Sequence, residues 1–236
     1  LKPFVSVYSS FLQRAYDQIN HDMARMDLPV VVGIDRAGLV GDDGDTHQGV
    51  FDISMLRSIP NLILSQPHDA KEAQNLLYTA FISQKPFCIR YPRGNVHYDK
   101  VDQYELIPIG SWTRYDVGDK PICIVISYGY DVDNVIHKAK ENNISMIVIN
   151  ARFFKPIDTR MINELCSYDL PIYVYETDCK IGSLSSAILE YINTQKHILN
   201  TIGIEDHFVN HGSIRTLRIQ EHIDTQSLFK EIIEND

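Results

Sequence analysis

The chain has 236 residues, of which 44% are hydrophobic and 22% charged, enough for one large or two small globular domains with a real core. Its net charge of -9 argues against nucleic acid or an anionic membrane surface as partner, because both call for clustered Lys and Arg. No apolar run is long enough to span a membrane, and the four cysteines are scattered without a CxxC pair, so neither zinc nor a disulfide framework is suggested and a reducing cytoplasm is the expected compartment.

The chain opens on Leu1 and drops almost at once into a strand-like run, Phe4–Tyr8, without a signal-peptide pattern. A natural terminus usually has some slack, so the expectation is a piece of a longer protein. Ser9 or Ser10 can cap a helix from about Phe11 to Arg25, whose apolar positions Phe11, Ala15, Ile19 and Met23 recur every fourth residue. Leu28–Ile34 reads as a fully buried strand. After a glycine-rich loop come a short helix near Ile53–Ser58 and a strand at Asn61–Ser65. Asp69 N-caps a helix to about Ser83, and Phe87–Tyr91 is a further strand. Polar, weakly periodic sequence from Gly94 to about Pro108 is the linker candidate.

A second series follows: strands at Ile109–Arg114 and Ile122–Ser127, a helix at Asp131–Glu141, a strand at Ser145–Asn150 and a helix at Asp158–Cys166. Ile172–Glu176 reads as a strand, Ser183–Thr194 as a helix, Ile198–Ile202 as a strand and Thr225–Glu234 as a terminal helix. Alternating strands and helices predict the α/β class: two consecutive three-layer domains with mostly parallel sheets, at residues 1–100 and 108–236.

The loop Asp35–Asp52, DRAGLVGDDGDTHQGVFD, concentrates Arg36, Asp42, Asp43, Asp45 and His47 among four glycines, directly after a buried strand. In open α/β sheets that edge binds ligands. Acidic, glycine-rich loops are more often solvated turns. A calcium loop does not fit, because no glycine stands where the turn of such a loop needs one.

This loop resembles the pyrimidine-binding domain of thiamine-diphosphate enzymes, and most closely the 1-deoxy-D-xylulose-5-phosphate synthase family. Two further stretches agree in order and spacing, YSSFLQRAYDQINHD at Tyr8–Asp22 and RYPRGN at Arg90–Asn95. The resemblance implies an enzyme, a transketolase-type transferase that condenses pyruvate with glyceraldehyde 3-phosphate, releases carbon dioxide and makes a precursor of isoprenoids, thiamine and pyridoxal. It further implies thiamine diphosphate with Mg2+ as cofactors and a homodimer.

Residue by residue, the resemblance makes Phe11 the aromatic that stacks on the aminopyrimidine, although periodicity alone reads it as core. His47 matches the active-site histidine, and a neutral imidazole can exchange protons near neutral pH. Asp43 matches an aspartate that contacts the acceptor's hydroxyl or orients its neighbours. Arg36 and Arg93 match the pair that anchors the acceptor's phosphate, which a guanidinium fork suits. Tyr8 and Arg14 match residues lining the same pocket. Arg90 reads as structural, and Asp42 and Asp45 as solvated turn residues.

No metal ligand is assigned within the chain. A glutamate that drives cofactor activation and a GDG…N magnesium motif are expected upstream, so the piece alone is expected to be inactive. The second domain is expected to support the dimer and contribute little chemistry, and its Tyr175–Ser183 segment departs from the glycine-rich turn of relatives. Transketolases and the beta subunits of pyruvate dehydrogenase complexes are the rival families; DRAG with RYPRGN favours the synthase over transketolase, and suits a phosphosugar site and not the docking surface of a beta subunit.

Overall fold

Apolar runs without alternation need cover on both faces, and in the computed structural model they form the centres of two sheets. The structure describes residues 1–98, 101–192 and 199–235. The first half carries β1 (Phe4–Tyr8), α1 (Ser9–Leu12), β2 (Val31–Asp35), α2 (Asp52–Arg57), β3 (Ile63–Ser65), α3 (Ala70–Ser83) and β4 (Phe87–Arg90). The second half begins with β5 (Thr113–Val117), β6 (Cys123–Ser127), α4 (Asp131–Glu141), β7 (Met146–Asn150), β8 (Phe153–Lys155) and α5 (Thr159–Leu165). It ends with β9 (Ile172–Cys179), α6 (Leu184–Ile192), β10 (Leu199–Ile204), α7 (Ile214–Gln220) and α8 (Thr225–Glu234).

The sheets are five-stranded, in the orders β1-β2-β4-β3-β8 and β10-β9-β6-β7-β5. Pairing is parallel except for β8 on β3 and β5 on β7. Two α/β domains with mostly parallel sheets are therefore present, as the alternation of elements predicts. Strands β6 and β7 are buried along their whole length, and each fully buried Val, Ile or Leu there stabilises the fold by roughly 1.5–3 kcal/mol.

The domains share packing where they meet. One apolar cluster runs from Ile34, Leu64 and Phe87 through Phe153 and Phe154 to Ile126 and Ile149. Strand β8 belongs in sequence to the second half but hydrogen-bonds to β3 of the first sheet. Residues 101–108 lie along α3, with Ile107 N donating to Thr79 Oγ1 at 2.9 Å and Glu105 N to Asn75 Oδ1 at 3.0 Å.

Several local expectations are corrected. The stretch Phe11–Arg25 is not one α-helix: a 3-10 turn at Gln13–Ala15 and a π-helical turn at Gln18–Ala24 follow α1. An α-helix turns every 3.6 residues, so a strict four-residue repeat drifts around it, and the mixed turns change which residues share a face. The core receives Leu12, Ile19, Met23 and Ala24, while Phe11 is 50% exposed. The strand expected at Ile109–Arg114 starts only at Thr113, because Pro108 O accepts from Ser111 N and closes a turn through Gly110. The strand expected from Leu28 starts at Val31. Asn193, Thr194 and Ile198, the ends of an expected helix and strand, lie outside the described residues, as do positions 99 and 100 of the first expected domain.

The divergent segment Tyr175–Ser183, which spans the end of β9 and the turn beyond it, is organised by Glu176, which is fully buried and accepts from Leu184 N at 2.8 Å and Ser185 N at 3.0 Å, the opening amides of α6. Burial pushes its carboxyl up to about 6, against the pull of those hydrogen bonds. The folded state therefore holds this proton more tightly than the unfolded chain. The contribution is fully present below the ordinary value of 4.5 and fades as pH rises through about 6. Relative to Glu176→Gln, the wild-type unfolding free energy should fall by about 2 kcal/mol over that window. Denaturant titrations at several pH values would show it, and parallel profiles for the two proteins would contradict the assignment.

Candidate active site

Strands β1, β2 and β4 are neighbours running in one direction, so their carboxyl ends deliver Tyr8, Arg36 and Arg93 to the same edge of the sheet. Arg36 adopts a left-handed conformation with φ 58°. Asp35 stabilises it, its Oδ1 accepting from Arg36 N at 2.7 Å and its Oδ2 from Arg36 Nη1 at 2.5 Å. The guanidinium carbon then lies 4.7 Å from the centroid of the Tyr8 ring, a cation–π contact.

Asp43 sits between the two arginines. Arg93 Nη1 donates to Asp43 Oδ1 at 2.7 Å, and Arg36 Nε stands 3.8 Å from Asp43 Oδ2. Arg36 Nε and Asp43 Oδ2 are both shielded from water without a hydrogen-bond partner. The Arg93 side chain is 41% exposed, and partly exposed pairs of this kind hold by well under a few kcal/mol. An incoming anion can exchange with Asp43 here.

Beside the arginines three rings form a corner. Tyr8 and Phe11 lie 5.2 Å apart between centroids, and His47 meets Phe11 edge-on at 5.4 Å and Tyr8 at 6.3 Å. Thr46 Oγ1 lies 3.0 Å from His47 Nδ1 and orients the imidazole. Tyr8, Phe11, Arg36, Asp43, His47 and Arg93 are thus brought together. Arg14 is not joined to them: it is exposed on the turn after α1, with no hydrogen bond or ion pair to another described residue. Asp42 and Asp45 are exposed, as expected.

The loop that carries Asp43 and His47 is closed at its base by Gly38 and Gly49, which exchange two backbone hydrogen bonds of 2.8 Å. A Cβ at Gly49 would fall 2.1 Å from Arg36 O, so only glycine fits. Buried Gln48 accepts from Val40 N at 2.9 Å across the same base. Gln48 and Asp35 are site residues that sequence reasoning passed over, since a single buried amide or strand-end carboxylate leaves no periodic signal. Among the described residues no three His, Cys, Asp or Glu side chains converge to hold a metal ion.

Below this edge, Arg90 is completely buried. It donates to Asp52 Oδ1 at 2.7 Å, to Asp178 Oδ1 at 2.7 Å and to Gln66 Oε1 at 2.7 Å. Burial pushes the Asp52 carboxyl above the ordinary carboxylate range, outweighing the pull of Arg90.

Residues 1–98 match the family described as Transketolase, pyrimidine binding domain, and residues 115–226 match Transketolase, C-terminal domain. The chain is 41% identical to the 1-deoxy-D-xylulose-5-phosphate synthase of Aquifex aeolicus, over 98% of this chain and 37% of that protein. It is 43% identical to the protein of the same name from Listeria welshimeri, over 91% of this chain and 35% of that one. The chain therefore spans little more than a third of these relatives. A solved structure titled "Split gene transketolase, inactive beta4 tetramer" superposes with a TM-score of 0.82 at 21% identity, covering 99% of this chain and 75% of that one, a likeness of fold.

Arg90→Met should cost roughly 3–5 kcal/mol of folding free energy, because it strands two buried carboxylates. Asp52→Asn, which leaves the Asp178 pair in place, should cost less. Chemical denaturation would rank them, and a near-neutral Arg90→Met would show that the cluster holds nothing together.

Proposed function

The chain belongs to the transketolase family, as its pyrimidine-binding and C-terminal domains, and we propose that it is the acceptor-binding part of a thiamine-diphosphate-dependent synthase. The reaction joins pyruvate to glyceraldehyde 3-phosphate, with loss of carbon dioxide, to give 1-deoxy-D-xylulose 5-phosphate. What supports this reading most is the pairing of Arg36 and Arg93 across Asp43 at the carboxyl edge of the sheet.

Thiamine diphosphate fits at the exposed face of Phe11, which would hold the aminopyrimidine against the corner formed with Tyr8 and His47. The bound cofactor supplies the electron sink that lets pyruvate lose carbon dioxide. Its diphosphate and Mg2+ would be held by residues outside this chain, and we expect residues 1–236 alone to bind it weakly and to be inactive. Arg36 and Arg93 fork the acceptor's phosphate, Arg93 exchanging Asp43 for phosphate oxygens. Asp43, once released, accepts from an acceptor hydroxyl. His47, with Thr46 against Nδ1, moves a proton between Nε2 and the acceptor's carbonyl oxygen. Tyr8 lines the pocket, whereas Arg14, exposed on the turn after α1, takes no part in it. We further read the protein as a cytoplasmic homodimer. No helix among the described residues is long and apolar enough to cross a membrane.

In the full-length protein, His47→Ala should lower the turnover rate by on the order of a hundredfold or more while pyruvate binding changes little. Steady-state kinetics unchanged by that substitution would remove His47 from the mechanism.

Arg93→Ala should raise the acceptor's KM about ten- to a hundredfold, with pyruvate barely affected. Arg93→Lys should recover only part of the loss, since an ammonium cannot reproduce the fork. Unphosphorylated glyceraldehyde should show a smaller defect. Equal losses with both acceptors would mean that Arg93 serves the fold or the cofactor and not the phosphate.

A further inference from the structure

We propose that the second domain holds the acceptor loop in its working geometry, with Gln48 as the positioning residue that ties the two together. The inference rests on the acceptor-site reading above. After Gly38 the loop leaves the first sheet, and its apolar side chains do not return to the first domain's core. Leu39 and Val50 are buried members of the second domain's apolar cluster, which also holds Val125, Tyr175, Val209 and Leu217. The loop's exit is fastened to β9, where Cys179 N donates to Val50 O at 3.1 Å.

At the tip the second domain comes closer still. A Cβ at Gly41 would stand 3.1 Å from Ile214 Cγ1, and His211 Cδ2 lies 3.9 Å from the Cβ position of Gly44. Between the apolar anchors and the tip sits Gln48, 4% exposed. Its Oε1 accepts from Val40 N at 2.9 Å, joining the loop's two arms, and its Nε2 donates to Asn210 O at 3.2 Å, joining the loop to the second domain. An amide meets an N–H and a C=O at once whatever the pH, whereas an ionised carboxylate of the same length only accepts.

The consequence is geometric. Arg36 and Arg93 are carried by the ends of first-domain strands, whereas Asp43 and His47 ride on a loop whose anchors lie mostly in the other domain. The distance between phosphate anchors and proton-handling groups is therefore set across the domain boundary, and small displacements of catalytic groups are costly to rate.

The test uses the full-length protein that carries this chain. Gln48→Leu removes both hydrogen bonds. Gln48→Glu, assayed at the alkaline end of the enzyme's range where the carboxyl is ionised, keeps an acceptor for Val40 N but sets a carboxylate oxygen against the Asn210 carbonyl, so it breaks only the tie between domains. Both variants should raise the acceptor's KM about tenfold and lower turnover, with the pyruvate KM changed by less than about twofold. Hydrogen exchange should accelerate in both the 38–49 and the 207–213 segments while the thermal midpoint stays close to wild type. If Gln48→Glu keeps wild-type kinetics and exchange, the tie carries nothing and the proposal fails. Equal losses for both substrates, with early global unfolding, would make Gln48 a residue of the fold alone and equally overturn it. Should the wild-type protein lack synthase activity, the functional reading falls, while the exchange of the two segments still decides whether Gln48 couples them.

Discussion

The interaction on which the rest depends is the buried contact of Arg90 with Asp52 and Asp178. A guanidinium removed from water is tolerated only when its N–H groups are met by oriented acceptors. Here the acceptors come from three places: the start of α2, Gln66 directly after β3, and β9 of the second sheet. Tyr128 adds a hydroxyl to Asp178 at 2.5 Å. Because Asp52 closes the glycine-rich loop and Arg93 follows Arg90 by three residues, the charge cluster fixes both flanks of the candidate site. It also fixes the second domain relative to the first, through the same guanidinium.

Burial separates two kinds of charged pair in this region, although their distances are nearly equal. Arg90 to Asp178 and Arg93 to Asp43 both measure 2.7 Å. The first is inaccessible to water, and breaking it leaves an unpaired charge in a poor solvent. The second is partly exposed, chiefly on the Arg93 side, so water competes for it and exchanging its carboxylate for another anion costs less. A sequence places Arg90 and Arg93 in one motif, and only the depth at which each lies distinguishes the structural guanidinium from the exchangeable one.

What was legible in the sequence was what leaves a pattern. Buried parallel strands appear as unbroken apolar runs, and Val31–Asp35, Cys123–Ser127 and Met146–Asn150 all sit where such runs stand. The three matching stretches pointed to Tyr8, Phe11, Arg14, Arg36, Asp43, His47 and Arg93, and all but Arg14 converge. Phe11 shows how periodicity misleads. Counting every fourth residue put it on the core face, but the tightened and widened turns that follow α1 hand that face to Leu12 and leave Phe11 exposed. Strand β8 is three residues long and exists because β3 offers it an edge, and the seven-residue α7 has a weak apolar stripe with Leu217 as its buried residue. Neither has a local signal strong enough to announce it. Gln48 was invisible for a different reason, since its partners lie 8 and 162 residues away.

The glycines of the loop acquire a common explanation from its position between domains. A loop on an open surface needs glycine only where its backbone turns left-handed. Here Gly49 has no room for a Cβ beside Arg36 O, and one at Gly41 would press on the backbone and side chain of Ile214. Gly38 and Gly44 take positive φ at the turns between those close approaches. Two domains thus converge on a segment thin enough to admit both, and the ionisable side chains Asp43 and His47 stand at its tip. A second domain that supplies neither of the arginines Arg36 and Arg93, nor Asp43 or His47, still shapes the site, because it decides where the backbone bearing the last two can lie.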